Sequence, residues 1–516
     1  MQEGTQLRVA DVIRRRAAER PDVLALRNGD RTLTYGELDE RTNRLAQALL
    51  RMGAGAGSRV AHLDRTALEV VELFVAAAKI GAVTVPLNWR LAAPELATIL
   101  EDAGAPVLVA GPAYAELAHG LAGELQTPLT VVVAGEEYED LLRVEDAVDP
   151  GHSGESDDTV LQMYTSGTTG VPKGVLTTHR NLAAAVAASP IWSFDTDTVS
   201  LTPLPMFHVG GIAWTFLGLW NGGLTILVTE FDAIAVLDLL EHERVTNAVM
   251  VPTILQMLCA VPGAAERDFS ALRSIAYGAS PITTPVLKAA LRTFRCPLFG
   301  VYGLTETTGG IIQLDPADHD PDGPREHLLR SAGKPQPWAG MRVVDPETGS
   351  DCAPRQVGEV WLRGPNVMAG YFNRPQETAA AITPDGWLRT GDGGYLDEEG
   401  FLFLTDRIKD MIVTGGENVY PVEVEEALSQ HPGVSEVAVI GLPDERWGEA
   451  VKAFVVAAAG TDLRAEDLIA FARERLAGYK LPRFVDLVET LPRTPSGKVL
   501  KRELRDRERA APAARD

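Results

Sequence analysis

Short apolar runs bounded by turn residues alternate with amphipathic stretches of helical period through the first three hundred residues, and this alternation restricts the chain to an α/β architecture. The spacing predicts a helix over 38–50, a strand over 59–63, a helix over 68–78 and a strand over 83–87. It resumes with strands near 199–204, 224–228, 247–251, 274–277 and 298–302, so a second doubly wound sheet is expected. From about Gly340 the helices give way to short strands between Gly/Pro turns, such as 358–362, 387–390 and 401–404, which reads as a small β-barrel appended to the sheets. After Thr405 an α+β pattern begins, with strands over 411–413, 434–440 and 450–457 and helices over 421–430 and 465–476. A chain of 516 residues exceeds what one hydrophobic core supports, so at least two domains are expected.

The 71 acidic and 48 basic residues leave a net charge of −23, which argues against nonspecific nucleic-acid binding. A polyanionic ligand must then meet locally concentrated cations. One such concentration runs from Lys480 through Arg483, Arg493, Lys498, Lys501, Arg502 and Arg505; everything after Glu503 reads as a solvated basic tail, with a disordered last dozen residues. Cys259, Cys296 and Cys352 are far apart and match no metal-ligand or disulfide spacing, so a reducing, cytoplasmic setting is expected. The first sixteen residues lack the apolar core of a signal peptide, and the Ala-Ala-Arg-Asp ending is not a peroxisomal signal. The most apolar run, 248–261, is interrupted by Pro252, Thr253 and Gln256, and reads as a buried helix rather than a transmembrane segment. Nothing in the residues decides oligomeric state, and a homodimer stays open.

The chemistry is concentrated in a few strings. Residues 164–175, YTSGTTGVPKGV, pack hydroxyls, glycines and a lysine together: Gly167, Gly170 and Gly174 let backbone N–H groups approach an anion, Ser166, Thr168 and Thr169 add donors, and Lys173 adds charge. The usual phosphate-loop template is not met, because Val171-Pro172 separates Gly170 from Lys173. The string equally suits a Gly/Thr-rich connection between a strand ending near Tyr164 and a helix starting near Arg180. In VYGLTETTGG, 301–310, Thr305 can donate to phosphate and Glu306 can offer a hard oxygen to Mg²⁺, or the string is a strand-end turn with a solvated glutamate. Asp392 in WLRTGDGG can accept two ribose hydroxyls, or close an Asx turn in a hairpin. A histidine such as His208 in PLPMFHVGG is more often packed than catalytic, and Lys498 in PRTPSGK alone would be one more cation in a basic stretch.

The 164–175 string closely resembles the phosphate-binding signature of the adenylate-forming enzymes: acyl-CoA synthetases, beetle luciferases and the adenylation domains of peptide synthetases. The resemblance runs from LTYGELDERTNRLAQAL at 33–49 to PRTPSGKVLKREL at 492–504. It implies an AMP-binding N-terminal domain over 1–405 and a mobile C-terminal domain over 406–516, with DRIKDMIVTGGENVYP as the hinge segment and Lys409 as the hinge residue. By the same resemblance Thr165, Ser166, Gly167, Thr168, Thr169, Gly170 and Lys173 hold polyphosphate, while Gly278, Ala279 and Ser280 border adenine and wall the acyl pocket. Tyr302, Gly303 and Thr305 complete the nucleotide site, Glu306 holds the metal, and Asp392 and Arg407 hold the ribose. Lys498 becomes the mobile catalytic lysine, and Gly415, Gly416 and Glu417 approach the CoA tunnel. His208 becomes an aromatic gate between that tunnel and an acyl pocket formed by Phe207, His208, Gly210, Trp214, Tyr277 and Gly278.

The implied activity is an ATP-dependent acyl-CoA synthetase that joins a carboxylic acid to CoA through an acyl-adenylate, with ATP, Mg²⁺ and CoA as its requirements. Amino-acid-activating relatives place an aspartate behind the aromatic gate; Phe207-His208-Val209 carries none, so an acid without an α-amine is favoured. DMIVTGGENVYPVEVEEAL and GLPDERWGE look most like medium- and long-chain fatty-acid synthetases, although Trp214 could shorten the pocket to a small acid. An acyl-AMP ligase loading an acyl carrier protein, a nucleotide-binding homologue without turnover and a luciferase-like oxygenase are the alternatives.

Overall fold

The computed structural model describes residues 8–152, 154–165, 172–407, 412–414, 417–444, 447–493 and 499–510, with backbone alone at 406–407, 413, 417–418 and 509–510. A large N-terminal domain carries two doubly wound sheets, and a small α+β domain follows. The nine-stranded sheet centres on the parallel strands Leu224–Leu227, Val199–Thr202, Asn247–Met250, Ser274–Gly278 and Leu298–Leu304, with antiparallel edges. The seven-stranded sheet has the parallel strands Thr159–Thr165, Val83–Pro86, Arg59–Leu63, Val107–Ala110 and Thr130–Val133, bordered by Lys173–Thr178 and Gly370–Tyr371.

One helix serves both sheets. All twelve residues of Leu68–Lys79 are buried: Leu68, Val71, Phe74 and Val75 join the core of the first sheet, while Leu73, Ala76 and Ala77 join a core of the second. Burial on every side makes its charged residues costly unless each is paired. Glu72 meets Arg41 at 2.5 Å and the Tyr138 hydroxyl at 2.7 Å, Glu69 meets Arg31 at 2.8 Å, and Lys79 donates to Asp39 at 2.7 Å and Asn43 at 2.5 Å.

Three expectations change in detail. The 164–175 string does not lead straight into a helix: Lys173–Thr178 returns antiparallel to Thr159–Thr165, its Val175 and Thr177 facing inward, before Thr178 caps the His179–Val186 helix. The apolar run 248–261 is a strand, Asn247–Met250, and then a helix, Pro252–Cys259, with Pro252 in the first turn where its missing N–H is harmless. The region expected as a barrel is a four-stranded antiparallel sheet, Gly340–Val344, Gly358–Arg363, Leu388–Leu396 and Leu402–Arg407, whose described path does not return on itself; the Pro375–Ala381 helix is inserted within it.

The small domain wraps the helices Pro421–Ser429 and Ala465–Arg473 on a five-stranded sheet dominated by the Val434–Asp444 and Gly448–Ala457 hairpin. The segment expected as a solvated tail instead forms the Lys501–Ala510 helix. Leu504 enters the core, and the fully buried Lys452 ammonium is neutralised by Glu508 at 2.7 Å and Asp486 at 2.6 Å. The small domain seats against the large one through Glu426, which accepts from Thr284 Oγ1 at 2.8 Å, and through the Ser435 carbonyl, which accepts from Gln256 at 3.2 Å. The three cysteines are free, and no described helix is long and apolar enough to cross a membrane.

Candidate active site

A cleft of about 2700 Å³ opens along the carboxyl ends of the strands of both sheets, where open α/β sheets bind ligands, and the small domain covers it. Into it run the residues after Leu298–Leu304, after Ser274–Gly278 and after Val199–Thr202, together with Thr165 and Lys173 from the second sheet. Arg493 and Val499, which flank 494–498 and pair across an isolated bridge, line it from the small domain.

Glu306 is presented by a 3-10 turn, Thr305–Thr307, that interlocking hydrogen bonds hold rigid. Leu304 N donates to Thr307 Oγ1 at 2.8 Å, and Thr307 Oγ1 donates to the Gly309 carbonyl at 2.7 Å. Behind it, Asn366 Nδ2 donates to the Thr307 carbonyl and Met368 N to the Glu306 carbonyl, both at 2.8 Å. Thr308 ends the turn with a left-handed φ of 51°, a strained backbone for a β-branched residue. A Cβ at Gly303 would collide with the Gly309 carbonyl, so this crossing requires glycine. The Tyr371 hydroxyl donates to Glu306 Oε1 at 2.9 Å, and Lys173 Nζ stands 5.0 Å from the Tyr371 ring centroid.

Elsewhere in the cleft Tyr302 donates to Asp392 Oδ2 at 2.7 Å, and the ladder pairs Asp392 with Arg407, whose side chain lies outside the described residues. Gly278, Ala279 and Ser280 line the cleft, Ala279 with a left-handed φ of 68°. Tyr277 is buried, which raises its phenol above the usual range, and its hydroxyl meets His319 Nε2 at 2.8 Å. His208 precedes the Val209–Asn221 helix with its ring 4.4 Å from Phe207; burial, and secondarily the nearby Arg90 cation, pushes its imidazole down to about 4. It is therefore neutral at pH 7. Phe207, His208 and Gly210 line the cleft, but Trp214 does not: it is packed in the core against Trp192 at 5.5 Å and Phe194 at 5.2 Å. One helical turn beyond Gly210, the same helix face has passed from cleft wall to interior.

Ser166, Gly167, Thr168, Thr169, Gly170, Lys409, Gly415, Gly416 and Lys498 lie outside the described residues, as does the Glu417 side chain. Tyr371, Trp89 and Arg90 line the cleft without having been singled out in the sequence; Arg90 stands 4.2 Å over Trp89 and 6.0 Å from Phe207. Their residue types carry no signal by themselves, since only strand pairing and the approach of two loops bring them there.

A divalent cation fits Glu306 in one way. Among the described residues no three acidic, histidine or cysteine side chains converge, so the carboxylate can supply one anchor while nucleotide phosphate and water supply the rest, as Mg²⁺ sites commonly do.

The AMP-binding enzyme family matches residues 13–372, and its C-terminal domain matches 423–498. The fatty acid–[acyl-carrier-protein] ligase ScoC of Streptomyces coeruleorubidus is 41% identical over 95% of this chain and 94% of its own. A feruloyl-CoA synthase of an Amycolatopsis species is 41% identical over 96% of this chain and 97% of its own. The crystal structure of ATP-bound MatB from Rhodopseudomonas palustris superposes with a TM-score of 0.89 at 30% identity, over 98% of this chain and 99% of that one. With both family segments in order along it and relatives this similar over nearly its whole length, the chain belongs to the AMP-binding enzyme family.

Proposed function

We propose that the protein is an acid–thiol ligase that activates an apolar carboxylic acid as its acyl-adenylate and then passes the acyl group to CoA. The observation that supports this is the convergence on one cleft of Glu306, Asp392, Lys173 and the two residues flanking 494–498. The substrate carboxylate oxygen attacks the α-phosphorus of ATP, the bond to the bridging oxygen breaks, and pyrophosphate leaves. Such a reaction is accelerated chiefly by positioning and by stabilisation of spreading negative charge. Lys173 and the donors of 165–170 hold the departing phosphates, Thr305 and Lys498 meet the α-phosphate and carboxylate, and Asp392 with Arg407 fixes the ribose. Mg²⁺ bound at Glu306 with the nucleotide would neutralise phosphate charge. The thiol then attacks the acyl carbonyl and AMP leaves.

Lys498 and the thiol need the same space, so the small domain, bounded at 405/406, rotates about Lys409 and brings Gly415, Gly416 and Glu417 to the tunnel. His208, being neutral, serves there as a shaped ring rather than a proton carrier. ATP and CoA as co-substrates, with three free cysteines, suit a cytoplasmic enzyme. The similarity to ScoC favours one second reading, transfer to a carrier protein in place of CoA.

For the acid we propose a fatty acid of medium or long chain. Cleft residues following the Val199–Thr202, Leu224–Leu227 and Asn247–Met250 strands include the uncharged Val209, Val228, Phe231 and Val251. Each methylene moved from water contributes about 0.8 kcal/mol, so affinity should rise roughly threefold to fourfold per carbon until the pocket ends. The test is pyrophosphate release across straight-chain and aryl acids, with CoA, with a phosphopantetheinylated carrier protein and with neither. Preference for acetate, benzoate or ferulate over every fatty acid would remove the fatty-acid reading. No acid-dependent pyrophosphate release would remove the ligase reading.

A further inference from the structure

Tyr371 is fixed from three sides. Its two-residue strand Gly370–Tyr371 pairs antiparallel with Lys173–Thr178, Tyr371 opposite Val175; Phe372 N donates to the Gly174 carbonyl at 2.8 Å, and Tyr371 N donates to Thr378 Oγ1 at 2.9 Å. The half-buried side chain therefore stands at the root of the 164–175 loop. One end of it touches Glu306 and its face lies near Lys173.

A lysine and a glutamate on adjoining segments of a half-buried cleft attract each other strongly, and an ion pair between them would withdraw both from a ligand. That pair is not formed. Among the described residues Glu306 takes its side-chain hydrogen bond from Tyr371 at 2.9 Å, and Lys173 meets no carboxylate, its ammonium instead standing 5.0 Å from the ring centroid. An aromatic face attracts an ammonium without neutralising it, and a phenol donating to one carboxylate oxygen leaves the second oxygen available.

We propose that Tyr371 is a positioning residue, a neutral spacer that keeps Lys173 and Glu306 from pairing, so that the ammonium stays directed to polyphosphate and the carboxylate to a divalent cation. The inference rests on the proposed nucleotide chemistry of this cleft. Its two arms are separable: the hydroxyl orients Glu306, and the ring separates the charges.

The test measures ATP binding by calorimetry on the full chain, without acid so that no turnover occurs, at zero and at graded Mg²⁺. Tyr371→Phe keeps the ring and should raise the half-saturating Mg²⁺ concentration by about five- to tenfold, with metal-free ATP affinity unchanged. Tyr371→Leu should in addition weaken metal-free ATP binding several-fold, because Lys173 can then close on Glu306. Adding Glu306→Gln to Tyr371→Leu should restore that affinity, a rescue that a merely damaged fold cannot give. Unchanged Mg²⁺ dependence in Tyr371→Phe would overturn the proposal, as would absence of rescue in the double variant. If Tyr371→Leu does not fold, the Tyr371→Phe result decides. Parent protein that binds no ATP would overturn both this proposal and the functional reading beneath it, whereas normal parent binding with unresponsive variants would overturn only the role of Tyr371.

Discussion

The Leu68–Lys79 helix and the wall of the cleft both hold charge away from bulk water, and they treat it in opposite ways. On the helix every charge is paired: Glu72 with Arg41, with a hydrogen bond from Tyr138, Glu69 with Arg31, and Lys79 with Asp39. In the cleft Lys173 and Glu306 sit on either side of one tyrosine without cancelling each other. Paired buried charge serves the fold, while charge held near an opposite but separated from it serves a ligand. Substitutions in the two regions should therefore fail in different measurements.

The largest effect is expected at Lys498, the proposed mobile lysine. Lys498→Ala should reduce acid-dependent pyrophosphate release by about 10²- to 10³-fold, the usual loss when one preorganised group is removed from a charge-building transition state. Thioester formation from supplied acyl-adenylate should survive, since the proposed domain rotation takes the lysine out of the site before that step. Equal loss in both half-reactions would contradict that division of labour. Glu306→Gln should lower MgATP-dependent pyrophosphate release by about 10²-fold with an unchanged melting temperature, because among the described residues only the Tyr371 hydroxyl hydrogen-bonds its carboxylate.

Glu72→Ala inverts the pattern. Removing one member of a buried ion pair costs about 3–5 kcal/mol, and the low end is expected because Arg41 keeps Glu139 at 2.7 Å. The first unfolding transition should move down markedly while pyrophosphate release per folded molecule stays at the parent level. A Glu72 variant that loses activity without losing stability would erase the contrast between helix and cleft.

What was legible in the sequence follows the same line. Strand 59–63 was readable to the residue because Val60, Ala61 and Leu63, interrupted only by His62, are buried on both faces of a parallel sheet. Glu306 and Asp392 were readable as carboxylates that line the cleft because their glycine-rich strings mark turns, and a carboxylate beside such a turn is conspicuous. Tyr371 was not, since its position depends on pairing with residues nearly two hundred positions earlier and a two-residue strand has no period. Trp214 was misplaced because Gly210 and Trp214 share one helical face, and only the return of Trp192 and Phe194 onto that face decides where the cleft ends. The strand 173–178 was hidden by Gly174 and Pro172, which locally read as loop.

The smallest effect compares one uncharged ring from the buried sheet with one from the cleft. Burial pushes His62, on a central strand of the second sheet, down to about 3, and His208, at the gate, to about 4. In the unfolded chain both titrate near 6.5. As pH falls from about 6.5 towards 4 the unfolded chain takes up protons that the fold refuses, so stability present in full above 6.5 is lost at up to about 1.4 kcal/mol per pH unit for each histidine. His62→Leu and His208→Phe should each flatten the melting temperature against pH between 4 and 6.5 by a similar increment. A variant whose profile runs parallel to the parent's would show that its histidine does not resist protonation. The two should part company in catalysis. Single-turnover thioester formation by the parent should show no inflexion from His208 between pH 6 and 8, because the gate is already neutral across that window. An imidazole inflexion that disappears in His208→Phe would mean that the gate exchanges a proton with the incoming thiol, and the ring would then belong with Lys173 and Glu306 among the groups held for chemistry rather than for shape.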